Sequence, residues 1–159
     1  MSASRVFLSK GINLEEIKQN LTGSFNVEGK NIQYNGLGLV ELADIPQLQT
    51  NLDYKLKRLN YYSQYGETQF DNISGTINIK NSIAKMINLK LTNEMLTGLL
   101  NLVYSFSDNS LNANSKFSFI PVRNSNPITI DITNSGTLVN TKAAVDVSAL
   151  ESYLRKNSH

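Results

Sequence analysis

The stretch Asn72-Ile73-Ser74-Gly75-Thr76-Ile77-Asn78-Ile79 places Ile or Gly at every odd position and Asn, Ser or Thr between them. A period of two is that of a β-strand, whose successive side chains point to opposite faces, so this segment predicts a strand with one apolar and one polar side. The rule recurs downstream in Ile87, Leu89 and Leu91, then in Leu96, Gly98, Leu100, Leu102, Tyr104 and Phe106. It continues through Leu111, Ala113, Phe117 and Phe119, then Ile128, Ile130 and Ile132, then Val145 and Val147. Short breaks rich in Asn, Ser, Asp and Gly separate these runs, and strands joined by such turns pair antiparallel as a meander.

Upstream, Leu21, Gly23, Phe25 and Val27 alternate in the same way, and Glu28-Gly29-Lys30 predicts a turn into Asn31–Asn35, an opening hairpin. Helical spacing precedes and follows it. Asn13 with Glu16 forms a capping box before a short helix over Leu14–Asn20. Asp44 with Pro46 predicts the start of a long helix in which Ile45, Leu48, Leu52, Leu56 and Leu59 share a face up to about Tyr62, with Gly66 beyond its end. Ser148 predicts the cap of a final helix carrying Leu150, Tyr153 and Leu154. The fold class expected is therefore α+β, mainly β: a curved antiparallel sheet of about eight strands, with one long and two short helices covering its apolar face. The 159 residues fit one domain spanning 1–159, large enough for a core without disulfides or a structural metal.

Composition narrows the chemistry. Charged residues are 18% of the chain and the net charge is +2, spread along its length, which argues against steering toward nucleic acid. The absence of cysteine removes thiolate catalysis and Cys-ligated zinc, and the one histidine, His159, is terminal, leaving Ser-His-Asp chemistry and His metal sites without a donor. Asp131 and Asp146 fall on the polar sides of neighbouring strands and read as exposed charges, although a glycan hydrolase would use such a carboxylate pair. Lys55, Lys57 and Arg58 beside Tyr61 and Tyr62 read as a solvated helix face, and Gly36-Leu37-Gly38 as a turn lacking the Lys of a phosphate cradle. No enzymatic activity and no cofactor are expected. No run approaches the roughly 20 apolar residues of a membrane span, and Met1–Lys10 lacks a signal-peptide core, so the chain by itself is expected to be soluble.

Apolar sides on so many strands must be covered, since each exposed Leu, Ile or Phe forfeits roughly 1.5 to 3 kcal/mol. Three helices are too little cover for all of them. Leu100, Leu102, Tyr104, Phe106, Phe117 and Phe119, on the longest strands, are the candidates for contact with lipid or another apolar ligand.

The order of short motifs adds a second line. Gly66-Glu67-Thr68-Gln69-Phe70, Ile73-Ser74-Gly75-Thr76-Ile77 with Asn81, Leu89-Lys90-Leu91, Leu96-Thr97-Gly98 and Leu111 follow one another as in the C-terminal region of the AsmA-like family, which is related to TamB-type envelope proteins. Asn126-Pro127, Ser135-Gly136-Thr137-Leu138 and Ala144-Val145-Asp146 resemble the closing stretch of that family, and Gly11-Ile12-Asn13-Leu14 with Leu21-Thr22-Gly23 its upstream part. Departures are Ser82 after Asn81, where the family usually has Gly, Asn112 after Leu111, where Asp is common, and Asn140-Thr141, where Pro often follows the turn. The resemblance implies a domain excised from a longer protein held at the bacterial inner membrane by an anchor segment absent from this chain, working on the periplasmic side. It further implies a part in phospholipid transport and outer-membrane biogenesis, with phospholipid and neighbouring β-domains of the parent chain as partners. The competing expectation is an assembly module whose edge strand pairs with a neighbouring β-domain or an outer-membrane protein client.

Overall fold

A computed structural model describes residues 2–8, as backbone, together with 22–137 and 139–157. The strands lie side by side in chain order and every adjacent pair is antiparallel, which is the meander that short turns impose. Ser2–Leu8 (β1) pairs along one edge, with Ser2 opposite Glu28 and Leu8 opposite Thr22. The seven strands from there are Thr22–Asn35 (β2), Glu67–Lys80 (β3), Ile83–Thr92 (β4), Thr97–Ser105 (β5), Ser110–Phe119 (β6), Ile128–Thr137 (β7) and Thr141–Asp146 (β8). Among the described residues the α-helices are Leu39–Asp44 (α1), Leu52–Tyr62 (α2) and Ser148–Lys156 (α3). The mainly antiparallel β character matches the alternation in the sequence.

Four local expectations need correction or fall outside the described residues. The opening hairpin is one strand: β2 runs straight through Glu28-Gly29-Lys30, and its irregularity is confined to Asn31, which takes φ 56°. There the inward positions step from Gly29 to Ile32 on β2 and from Ile73 to Phe70 on β3, so both strands change phase together and stay paired. The long helix is broken. Pro46, which has no N–H to donate, sits in a single 3₁₀ turn at Ile45–Gln47, Leu48 is extended, and α2 starts afresh where Asn51 Oδ1 accepts a hydrogen bond from Tyr54 N at 2.8 Å. The last helix begins at Ser148 itself, and Asp146 Oδ1 accepts from Ser148 N at 2.9 Å. The helix expected over Leu14–Asn20 lies outside the described residues.

The helical insertion between β2 and β3 is tied down by one buried side chain. Thr68 Oγ1 donates to Leu37 O at 2.7 Å and accepts from Leu39 N at 2.8 Å, satisfying two backbone groups of the turn that enters α1. Gly66, at φ 122°, brings its backbone against Gly38, where an added Cβ would lie 3.0 Å from Gly38 Cα. Beneath this insertion and α3 lies the core: Leu39, Leu42 and Ile45 from the insertion meet Phe70, Leu96, Phe117 and Ile130 from the sheet, and α3 adds Leu150 and Leu154. Phe70 and Phe117 stack with centroids 5.5 Å apart.

A sheet bulge also redirects one residue. Between Met86 and Leu89 the β4–β5 register shifts, Asn88 takes φ 54°, and Asn101 Oδ1 accepts from Asn88 N at 2.9 Å. Ile87, expected beside Leu89 and Leu91, is therefore on the outer face and 64% exposed.

Candidate functional site: a groove along the inner face of the sheet

Among the described residues the helices sit at one end of the strands, because the insertion joins Asn35 to Glu67 and α3 follows Asp146 at that same end. The inner face beyond them carries a groove of about 510 Å³. Its floor is Leu91, Leu100, Leu102, Leu111, Ala113 and Phe117, with Ser115 and Asn134 among them, and its walls come from two distant places. Gln33 to Leu37, at the end of β2, form one wall, and Thr141, Ala143 and Val145 of β8 form the other. A curled sheet is what lets β2 and β8 face the same space. The size falls within the roughly 300 to 1,000 Å³ of small-molecule sites, and the floor is mainly aliphatic, with Ser115 and Asn134 as its hydrogen-bonding side chains.

The six candidate residues divide. Leu100 and Leu102 are half-buried on the groove floor. Phe117 also reaches the groove but is only 2% exposed, its ring lying over Gly98 across the β5–β6 pair, where a side chain would collide with it. Phe119 is 4% exposed and belongs to the core under the helices, away from the groove lining. Tyr104 and Phe106 continue the β5 row toward the end opposite α1–α3, packed edge to face at 5.0 Å, with the Tyr104 hydroxyl donating to Asn109 Oδ1. Phe106 N donates to Ser82 O at 2.8 Å, which fastens the β5–β6 turn to the β3–β4 turn. Leu111, Ala113 and Val145 carry the alternation that the sequence shows, but their place in the groove depends on the curl. Tyr34 ends up beside the groove at the end of β2, and Leu37 belongs to the insertion that follows, whose return over the sheet no local pattern announces.

The charged candidates lie elsewhere. Asp131 and Asp146 are directly opposite each other on β7 and β8, on the outer face, with Lys116 Nζ 3.9 Å from Asp131. Side-chain and backbone hydrogen bonds from Ser148 hold the Asp146 carboxyl below the usual carboxylate range, the opposite of what a general acid needs. On α2, Lys57 pairs with Asp53 at 3.3 Å in full solvent, and the Arg58 guanidinium lies 5.0 Å from the Tyr62 ring centroid. Among the described residues no cluster of His, Cys, Asp and Glu is arranged to hold a metal, and no helix is long and apolar enough to cross a membrane. Comparison of the chain with family models, with curated proteins and with solved structures finds no match.

Proposed function

We propose that this chain is a non-catalytic lipid-handling domain of a bacterial envelope protein, and that its groove holds the acyl part of a phospholipid. The observation that carries this reading is the groove itself, an apolar floor open to solvent and left uncovered by the helices. Each methylene moved into it from water gains about 0.8 kcal/mol. About ten methylenes gain roughly 8 kcal/mol, enough to exceed an association cost of 4 kcal/mol or more. The head group stays in water, so no buried cation is required. The order of motifs from Gly66 to Asp146, which resembles the AsmA-like family, supports the periplasmic side of the inner membrane as the place of work and phospholipid movement or outer-membrane biogenesis as the task.

Native mass spectrometry of the gently purified protein tests the reading. A co-purified phospholipid, lost in Leu102→Glu, is the expected result. A ligand-free protein that also fails to take up a fluorescent fatty acid overturns it. A second reading rests on β8, which is an outermost strand with Thr141–Ala144 exposed and no proline. An edge of that kind offers unpaired backbone groups to a neighbouring β-domain or an outer-membrane client. Capture of a β-strand peptide by a lipid-free protein favours that assembly role.

A further inference from the structure

The free edge of β8 has a register of its own. Thr137 and Asn140 exchange both backbone hydrogen bonds at the end of the β7–β8 ladder, each at 3.2 Å, which makes them a hydrogen-bonded pair. Such pairs alternate with non-hydrogen-bonded ones along an antiparallel ladder, so Lys142, Ala144 and Asp146 turn their backbone groups toward Ser135, Thr133 and Asp131 of β7. Thr141, Ala143 and Val145 turn theirs the other way, and among the described residues no strand pairs with them. The strand has six residues, no proline and no shift of register, so this row of donors and acceptors is regular enough to be matched by another strand.

The charges on the edge are spaced to complement themselves. Lys142, Ala144 and Asp146 share the outer face, and Thr141, Ala143 and Val145 the groove side. Asp146 stands opposite Asp131, which has Lys116 at 3.9 Å, and among the described residues no ion pair engages Asp146 or Lys142. When a second β8 lies antiparallel to the first, residues whose backbone groups point the same way face each other, so the two-fold axis passes through a residue and not between two. With the axis at Ala144, Lys142 of each copy faces Asp146 of the other in non-hydrogen-bonded positions, where side chains come closest. Ala143 and Val145 then exchange backbone hydrogen bonds with the partner's Val145 and Ala143. An axis at Ala143 or Val145 leaves both charges unmatched, and one at Lys142 or Asp146 sets like charges together. The helix α3, which follows at Ser148, packs back against β7 and away from the edge.

We infer that a second copy of this chain occupies the edge, forming a two-fold dimer through β8–β8 pairing with Lys142 of each copy against Asp146 of the other. The two sheets become one, and the two grooves lie side by side along a shared wall of Ala143 and Val145. This inference rests on the assembly reading of the β8 edge and gives that edge its partner; it requires no lipid. Reversing one charge in each copy turns two attractive cross-strand pairs into two repulsive ones, which weakens association about 10- to 100-fold.

Sedimentation velocity of the whole chain over a concentration series tests the pairing. A monomer–dimer equilibrium is expected, weakened about 10- to 100-fold in Lys142→Asp and in Asp146→Lys alone. An equal mixture of those two variants restores the dimer, because each then presents the charges that the other lacks, a rescue that misfolded variants could not give. Since the chain has no cysteine, Ala144→Cys places two thiols across the axis with Cα atoms about 4.5 Å apart, within disulfide reach. Lys142→Cys, at a position equally exposed, places them about 13 Å or more apart. Oxidation links the first variant and not the second. A chain that is monomeric throughout the series, a mixture no more associated than its components, or equal cross-linking of the two cysteine variants overturns the self-pairing. A monomer that captures a β-strand peptide overturns the self-pairing and leaves the assembly reading standing, and a monomer that captures none overturns both.

Discussion

Replacing Thr68 with Val keeps the shape of a fully buried side chain and deletes only its hydroxyl. That hydroxyl is the partner of both Leu37 O and Leu39 N, two backbone groups 31 and 29 residues away in the chain. Neither group gains a replacement partner from a methyl. An unsatisfied buried polar group costs about 1 to 3 kcal/mol, and a partial adjustment of the turn offsets some of the two-group total, so a loss of about 2 to 4 kcal/mol is expected. For a chain of this length each kcal/mol lowers Tm by about 3 °C, which puts the fall at roughly 6 to 12 °C. Urea unfolding followed by circular dichroism measures the same quantity as a lower midpoint at unchanged slope. Thr68→Ser, which keeps the hydroxyl, returns most of the stability. Because Leu37 also walls the groove, Thr68→Val should weaken uptake of a fluorescent fatty acid as well. A Val variant within about 0.5 kcal/mol of the parent would refute the argument that this hydroxyl anchors the insertion.

Gly98→Ala forces a Cβ into the Phe117 ring, which is itself stacked on Phe70, and is expected to cost about 1 to 3 kcal/mol in urea unfolding, an effect that a simultaneous Phe117→Leu should relieve. The Asp146 carboxyl, held low by Ser148, should titrate below the ordinary value of about 3.9 in carboxyl-detected NMR. Since its folded value is the depressed one, the stability it contributes is present above about pH 4 and is lost as the pH falls through the folded value, a loss that Asp146→Asn removes. Replacing Asp131 and Asp146 together with Asn should leave lipid uptake unchanged, because both carboxylates are on the outer face, and a loss of uptake would reopen a role for the pair.

Much of the architecture was legible because a strand writes its faces into consecutive residues. Alternation from Ile73 to Val145 announces sequential strands, and the short Asn- and Ser-rich breaks leave hairpin connection as the economical way to join them. What failed to read were places where backbone conformation or distant packing overrode the local pattern. Glu28-Gly29-Lys30 has the composition of a turn, yet β3 pairs with β2 on both sides of it, and the hydrogen bonds of a continuous ladder outweigh the turn preference. Leu48 keeps the helical spacing of Ile45 and Leu52, but spacing is blind to the chain leaving the helix after Pro46. Ile87 sits at the right alternate position and still ends up outside, since one bulged residue at Asn88 inverts every face assignment on one side of it.

Sequence alone determined the antiparallel, mainly β character and, within the regular stretches between bulges, which side chains share a strand face, because those depend on a two-residue period and on short connections. Only the tertiary structure decided which part of the shared face is closed and which is open. Phe117 and Phe119 are two residues apart with the same orientation, yet Phe117 borders a groove while Phe119 is sealed beneath helices. That difference comes from where an insertion between β2 and β3 folds back and from how far the sheet curls to bring β2 opposite β8. Both are set by contacts between residues remote in the chain, such as Thr68 with Leu37, and no local pattern encodes them.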